Sequence, residues 1–141
     1  MRVVADTNVV ISMLLWGKSL ERLFVKVNKR KVVLCFSPAT IDELFRVIHY
    51  PKLFKQSAKS KVPIEALVDK LLAASVICHP QTKITKVLED ESDNRILETA
   101  VTAEASCIIS GDRHLLNLKN YKNIAIYSPA EFLRVAIKVH K

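Results

Sequence analysis

The sequence predicts an α/β fold, a parallel sheet covered by helices on both faces, and three observations carry that expectation. Five short runs have the length and apolar, β-branched character of buried strands: Val3 to Ala5, Lys31 to Phe36, Ser75 to Cys78, Ser106 to Ile109 and Ile124 to Tyr127. Stretches with apolar residues at helical spacing separate them, the alternation that builds parallel sheets. Ser37-Pro38 and Ser128-Pro129-Ala130-Glu131 follow directly on two of the strands, and each is a helix start with proline at the first helical position. Repeats, low-complexity segments and linkers are absent, so the 141 residues are expected to form one domain over 1–141.

In chain order, Arg2 to Ile11 sets the pattern. An apolar strand stops at Asp6, and Thr7 or Asn8 can cap the short, mostly buried helix that runs to Trp16 and closes at Gly17. A second helix is expected from Ser19 to Asn28, with Leu20, Leu23, Phe24 and Val27 on one face and Lys29-Arg30-Lys31 at its negative pole. After the second strand, Ile41, Leu44, Phe45 and Ile48 form a buried helical stripe with Glu43 beside it. His49-Tyr50-Pro51 ends that helix. Residues 52–62 read as a basic loop with a short helical turn. Pro63 starts a helix through Leu67, Leu71 and Leu72. The acidic run Leu88 to Asn94 precedes a helix carrying Ile96, Leu97, Ala100 and Val101. The fourth strand ends in Ser110-Gly111-Asp112, and the last helix carries Phe132, Leu133, Ala136 and Ile137.

Composition excludes several functions. With only Gly17 and Gly111, neither a dinucleotide-binding G-x-G-x-x-G nor a P-loop can be built. Cys35, Cys78 and Cys107 are odd in number, far apart and set in apolar runs, without metal-ligand spacing, so they read as buried reduced thiols. No apolar run reaches the ~18 residues of a membrane span, and Asp6 and Asn8 interrupt the hydrophobic start, so neither a signal peptide nor a membrane association is expected; the expected compartment is the cytoplasm. The net charge is +8, and gathering several of the 14 acids in one pocket leaves the rest of the surface more basic still, a field that attracts polyanions.

Four carboxylates stand where such a fold brings side chains together. Asp6 and Asp112 each follow a predicted strand, and Glu43 and Asp93 lie near the starts of helices, so all four fall on one edge of the sheet, where ligands bind in open α/β folds. Each has a blander reading too: Asp6 as a helix cap, and Asp90, Glu91 and Asp93 as acids favoured in a first helical turn. Like charges about 4 Å apart repel by roughly 4 kcal/mol at an effective dielectric near 20. A real cluster therefore takes up protons or recruits a cation. Oxygen ligands of this hardness suit Mg²⁺ or Mn²⁺, and the chemistry they support is phosphodiester hydrolysis.

The segments Val-Val-Ala-Asp-Thr-Asn, Ser-Pro-Ala-Thr-Ile-Asp-Glu-Leu, Asp-Glu-Ser-Asp-Asn-Arg-Ile-Leu-Glu-Thr-Ala and Ile-Ile-Ser-Gly-Asp-Arg-His-Leu-Leu resemble, in order and spacing, the motifs of the PIN domain, and the likeness extends through Ser-Pro-Ala-Glu-Phe-Leu. The chain looks most like the small single-domain prokaryotic PIN proteins of VapC-like toxin–antitoxin pairs. That resemblance implies a three-layer α/β/α fold on a five-stranded parallel sheet, and a Mg²⁺- or Mn²⁺-dependent ribonuclease. It also implies a homodimer and a small antitoxin partner. Carried over by position, Asp6, Glu43, Asp93 and Asp112 are the acidic, metal-binding quartet. Asp6, Asp93 and Asp112 would be the more direct ligands, and Glu43 would orient water or a second ion. Thr7, Asn8 and Ser110 are supporting polar groups. Relatives often carry a further acid where Ser92 stands, which makes Asp90 the reserve ligand.

The residues leave three rival readings. His49, His79, His114 and His140 invite a metal-free ribonuclease, but they sit at element ends, where solvated or capping histidines are common. A phosphatase of the haloacid dehalogenase type needs a second acid two residues after the first, and Asn8 stands there. A PIN scaffold that binds RNA or a protein with little or no cleavage is the remaining alternative. Lys52, Lys55 and Lys59 are candidate RNA contacts, as is the basic stretch Lys26 to Lys31. Trp16 and Tyr50 read as packing residues before base-stacking ones.

Overall fold

A computed structural model describes residues 1–15, 31–51, 63–87 and 90–139. The helix expected from Ser19 to Asn28, Trp16, the lysines at 52, 55 and 59, and His140 lie outside the described residues.

The described chain forms a six-stranded sheet in the order β3-β2-β1-β4-β6-β5. Its strands are β1 (Arg2–Ala5), β2 (Val33–Phe36), β3 (Val76–Ile77), β4 (Cys107–Ile109), β5 (Asn120–Tyr121) and β6 (Ile124–Tyr127). The helices are α1 (Thr7–Leu15), α2 (Pro38–Ile48), α3 (Ile64–Ala73), α4 (Glu91–Ala103), the single turn α5 (Arg113–Leu116), and α6 (Pro129–Val139). The five expected strands are all present and parallel to their neighbours. The addition is β5, a two-residue strand that pairs antiparallel with β6. The turn between them, Lys122-Asn123, has φ of 47° and 67°. Positive φ at both central residues is what a tight hairpin requires, and asparagine tolerates it. With no glycine there, the sequence carries no strong turn signal.

Alternation along the strands divides the core between two faces. Val3 and Ala5 point into one cluster with Val9, Val10, Leu44, Ile48, Val68 and Phe132, contributed by α1, α2, α3 and α6. Val4, Cys35, Ile108 and Ile126 point into the other, against Ile96, Leu97 and Ala100 of α4 and Leu115 of α5. This is the three-layer α/β/α arrangement. Cys35 and Cys107 are buried free thiols, and burial pushes Cys107 up to about 12, as expected of cysteines used as small apolar groups.

Two features of this frame place the site. Chain order runs from β1 outward to β2 and β3, then returns across β1 to β4 and on to β6. The switch point, and hence the natural crevice, lies at the carboxyl ends of β1 and β4. Helix starts then aim side chains into it. The start of α2 is fixed by a reciprocal capping box: Ser37 Oγ accepts from Thr40 N at 3.3 Å, and Thr40 Oγ1 accepts from Ser37 N at 2.8 Å. That sets the phase of α2, burying Leu44 and Ile48 and leaving Glu43 half-buried on the crevice side.

Candidate metal centre

Asp6 leaves β1 at the switch point. Its backbone N–H still bonds Ile109 O at 3.0 Å, and its carbonyl accepts from Val10 N at 3.0 Å, so the strand passes into α1 within one residue. The side chain caps that helix, Oδ1 accepting from Val9 N at 2.9 Å. Oδ2 accepts from the Ser110 hydroxyl and, at 3.3 Å, from Gly111 N. Both oxygens are thus engaged. Burial is the main influence on this carboxyl and raises its pKa. The bonds from Ser110, Val9 and Gly111 work the other way, and the charge of Asp112 adds to the rise.

Beyond β4, Ser110 is fully buried and its Oγ accepts from Asp112 N at 2.9 Å. Asp112 caps α5 through Oδ1, which accepts from His114 N at 2.7 Å. On the third side, Asp90 caps α4, its Oδ1 accepting from Ser92 N at 2.9 Å. Asp93 lies in the first turn of that helix, only 4% exposed, and its Oδ2 has no hydrogen-bond partner. Burial foremost, then the hydrogen bond and charge of Asp112 and the charges of Asp90 and Asp6, push Asp93 up to about 8. Without a cation, Asp93 keeps its proton at neutral pH.

Ligand oxygens from Asp90, Asp93 and Asp112 lie within 4.8 Å of one another. They open into a cleft of ≈ 290 Å³ that also presents Asp6, Thr7, Asn8 and Glu43. All four acids of the expected quartet therefore border one cleft. Within it, the compact triad is made by Asp90 together with Asp93 and Asp112, while Asp6 is committed to α1 and Ser110, and Glu43 stands outside the triad. Asp90, marked from sequence only as a reserve, holds a central place.

The structure adds residues that sequence reasoning did not place. Asn94 grips the backbone of Val87 from both sides: Val87 N donates to its Oδ1 at 2.8 Å, and its Nδ2 donates to Val87 O at 2.6 Å. This clamp fixes the first turn of α4 and so the direction of Asp93. Tyr50, expected as a packing residue, is instead 51% exposed and borders the acidic cleft with Val47 and Ile96. It lies two residues beyond the end of α2, where helical spacing gives no signal of its direction. His49, His79 and His114 are exposed and none borders the acidic cleft; His49 Nδ1 contacts the Phe45 carbonyl of its own helix at 2.6 Å.

An all-oxygen donor set, three carboxylates at ligand spacing and one buried oxygen without a partner fit a hard divalent cation. Neutral imidazole or thiolate ligands for a softer metal do not border this cleft.

Comparisons with known proteins agree with this geometry. A family model described as PIN domain matches residues 2–114. No curated protein matches the sequence. Among solved structures, the fold is similar to that of PAE2754 from Pyrobaculum aerophilum, with a TM-score of 0.56 and 16% identity over 97% of this chain and 90% of that one.

Proposed function

The chain belongs to the PIN domain family, whose members are typically nucleases, and from that premise we propose that it is a divalent-metal-dependent endoribonuclease. The observation that carries the reading is the Asp90–Asp93–Asp112 triad with its buried, unpartnered Asp93 oxygen. Such a site is costly to fold around unless a cation meets it.

Asp90, Asp93 and Asp112 would hold a Mg²⁺ or Mn²⁺ ion. The bound ion would ease deprotonation of a water and offset the charge that builds on the attacked phosphate. The chain's own residues supply position. Ser110 and Gly111 hold Asp6 fixed at the mouth of the cleft, and Asn94 holds Asp93. Glu43, in the lining of the same cleft but outside the triad, would accept a hydrogen bond from an incoming water. Thr7 and Asn8 offer polar groups to the substrate backbone at the start of α1. A net charge of +8 for the whole chain, the cleft acids included, supports a polyanionic substrate.

The reading includes a toxin role, a homodimer, a cytoplasmic location and a small antitoxin covering the cleft. It rests here on likeness to the small prokaryotic PIN proteins. No helix among the described residues is long and apolar enough to cross a membrane.

Labelled single-stranded RNA, incubated with the protein in Mn²⁺, in Mg²⁺ and in EDTA, is expected to be cut only with metal and not by Asp93→Asn. Cleavage that survives both EDTA and the substitution would overturn the reading. RNA bound but uncut under every condition would favour a binding module in its place.

A further inference from the structure

A second cleft, larger than the first at ≈ 480 Å³, opens on the other side of Asp6. Asp6, Asn8 and Asp112 border both, so the two are joined across the mouth of the metal centre. Their characters differ. The first gathers five carboxylates, those of Asp6, Glu43, Asp90, Asp93 and Asp112, and has no cationic side chain among its lining residues. The second adds the guanidinium of Arg113, the hydroxyl of Ser12 and the apolar surfaces of Val9 and Pro129. Arg113 is exposed and, among the described residues, has no ion-pair partner, so the fold does not use its charge. Gly111 adds room: a Cβ placed on it would meet nothing within 4 Å.

A strand of RNA cannot lay successive phosphates against five carboxylates. Only the phosphate that meets the bound ion is welcome in the acidic cleft, and the next must lie where a cation faces it. Arg113 supplies one, in a fork that suits phosphate oxygens. The mixed lining around it suits a sugar and base, apolar on one side and polar on the other.

We propose that this second cleft seats the nucleotide adjacent to the bond that is cut, with Arg113 binding its phosphate. The proposal rests on the ribonuclease reading and deepens it.

The test uses short labelled RNAs in which one linkage at a time is replaced by an uncharged methylphosphonate. In Mn²⁺, Arg113→Gln is expected to raise KM about tenfold with kcat within about twofold, Arg113→Lys to recover part of the loss, and the salt slope to fall by about 0.7, the value of one single-strand phosphate contact. The neutral linkage next to the cut should weaken the wild type about as much as Arg113→Gln does, and should leave Arg113→Gln unaffected. Gly111→Ala, whose Cβ meets no protein atom within 4 Å, should raise KM without lowering Tm. Binding of the same RNAs to the Asp93→Asn protein, read by fluorescence anisotropy in Mg²⁺, reports on the subsite even if the protein cuts nothing. Additive effects of the neutral linkage and Arg113→Gln, an unchanged KM in Gly111→Ala, or RNA binding indifferent to both substitutions would overturn the proposal.

Discussion

Asp6 and Asp112 are joined through a single hydroxyl: Ser110 Oγ donates to Asp6 Oδ2 and accepts from Asp112 N at 2.9 Å. The two acids come from loops after different strands, and this buried serine sets their separation where β1 and β4 end side by side.

Ser110→Ala breaks that link. It leaves the Asp112 N–H short of a partner and removes the strongest influence lowering the Asp6 pKa. The expected costs are about 1–3 kcal/mol of stability and roughly 10–100-fold in metal affinity or activity. Urea unfolding and Mn²⁺-dependent cleavage check the two separately. A variant unchanged in both would show that the hydroxyl positions nothing.

Asp93 makes the metal-free fold sensitive to alkali. Its carboxyl is raised to about 8 in the folded protein and is near 3.9 in an unfolded chain. Between those values the unfolded chain has lost a proton that the folded one keeps, so stability is greatest at low pH, falls as pH rises and levels off above about 8. Thermal unfolding of metal-free protein from pH 5 to 8.5 should show this decline, and Asp93→Asn should flatten it.

Metal loading should reverse that decline. Displacing the Asp93 proton makes binding tighter as pH rises from 6.5 to 8.5, with proton uptake by the buffer. Calorimetry in two buffers of different ionisation enthalpy should return proton release near one per ion at pH 7. Tm should rise with Mn²⁺ at pH 8 and rise less at pH 6. Equal affinity at both pH values would remove Asp93 from the ligand set.

Asn94→Ala strands both the N–H and the carbonyl of Val87, at about 1–3 kcal/mol for each buried group left unpaired. Asn94→Asp keeps an acceptor for Val87 N but turns a second acceptor oxygen on the Val87 carbonyl in a buried site, and should cost no less. Because the clamp steadies the first turn of α4, both variants should also lose metal affinity, measured by titration of the Mn²⁺-dependent rise in Tm.

Much of this was legible in the sequence. The runs at 3–5 and 107–109 are apolar on both faces because both faces are covered, and each stops at a polar residue because the crevice begins there. Ser37-Pro38 announces α2 through local chemistry alone. What could not be read depends on two segments meeting in space. Asp90 caps its helix as any first-turn acid would, and nothing nearby in sequence tells that Asp112 stands within ligand distance. The same holds in reverse for Asp6, whose oxygens are occupied by Val9 N, Ser110 and Gly111 N, groups up to 105 positions away. β5 escaped notice because two residues carry no period and its turn lacks glycine.

Three of the acids at the centre lead double lives. Asp6, Asp90 and Asp112 each give an oxygen to the start of a helix, a duty that asparagine performs equally well. A PIN domain without hydrolysis would still be held to Asp or Asn at 6, 90 and 112 by the need to fold. Asp93 caps nothing, and its buried carboxyl with an unpartnered oxygen burdens the fold wherever no cation meets it. Position 93 is therefore where the demands of a metal site and the demands of folding part company: folding alone favours replacing the aspartate, and only a metal site would keep it.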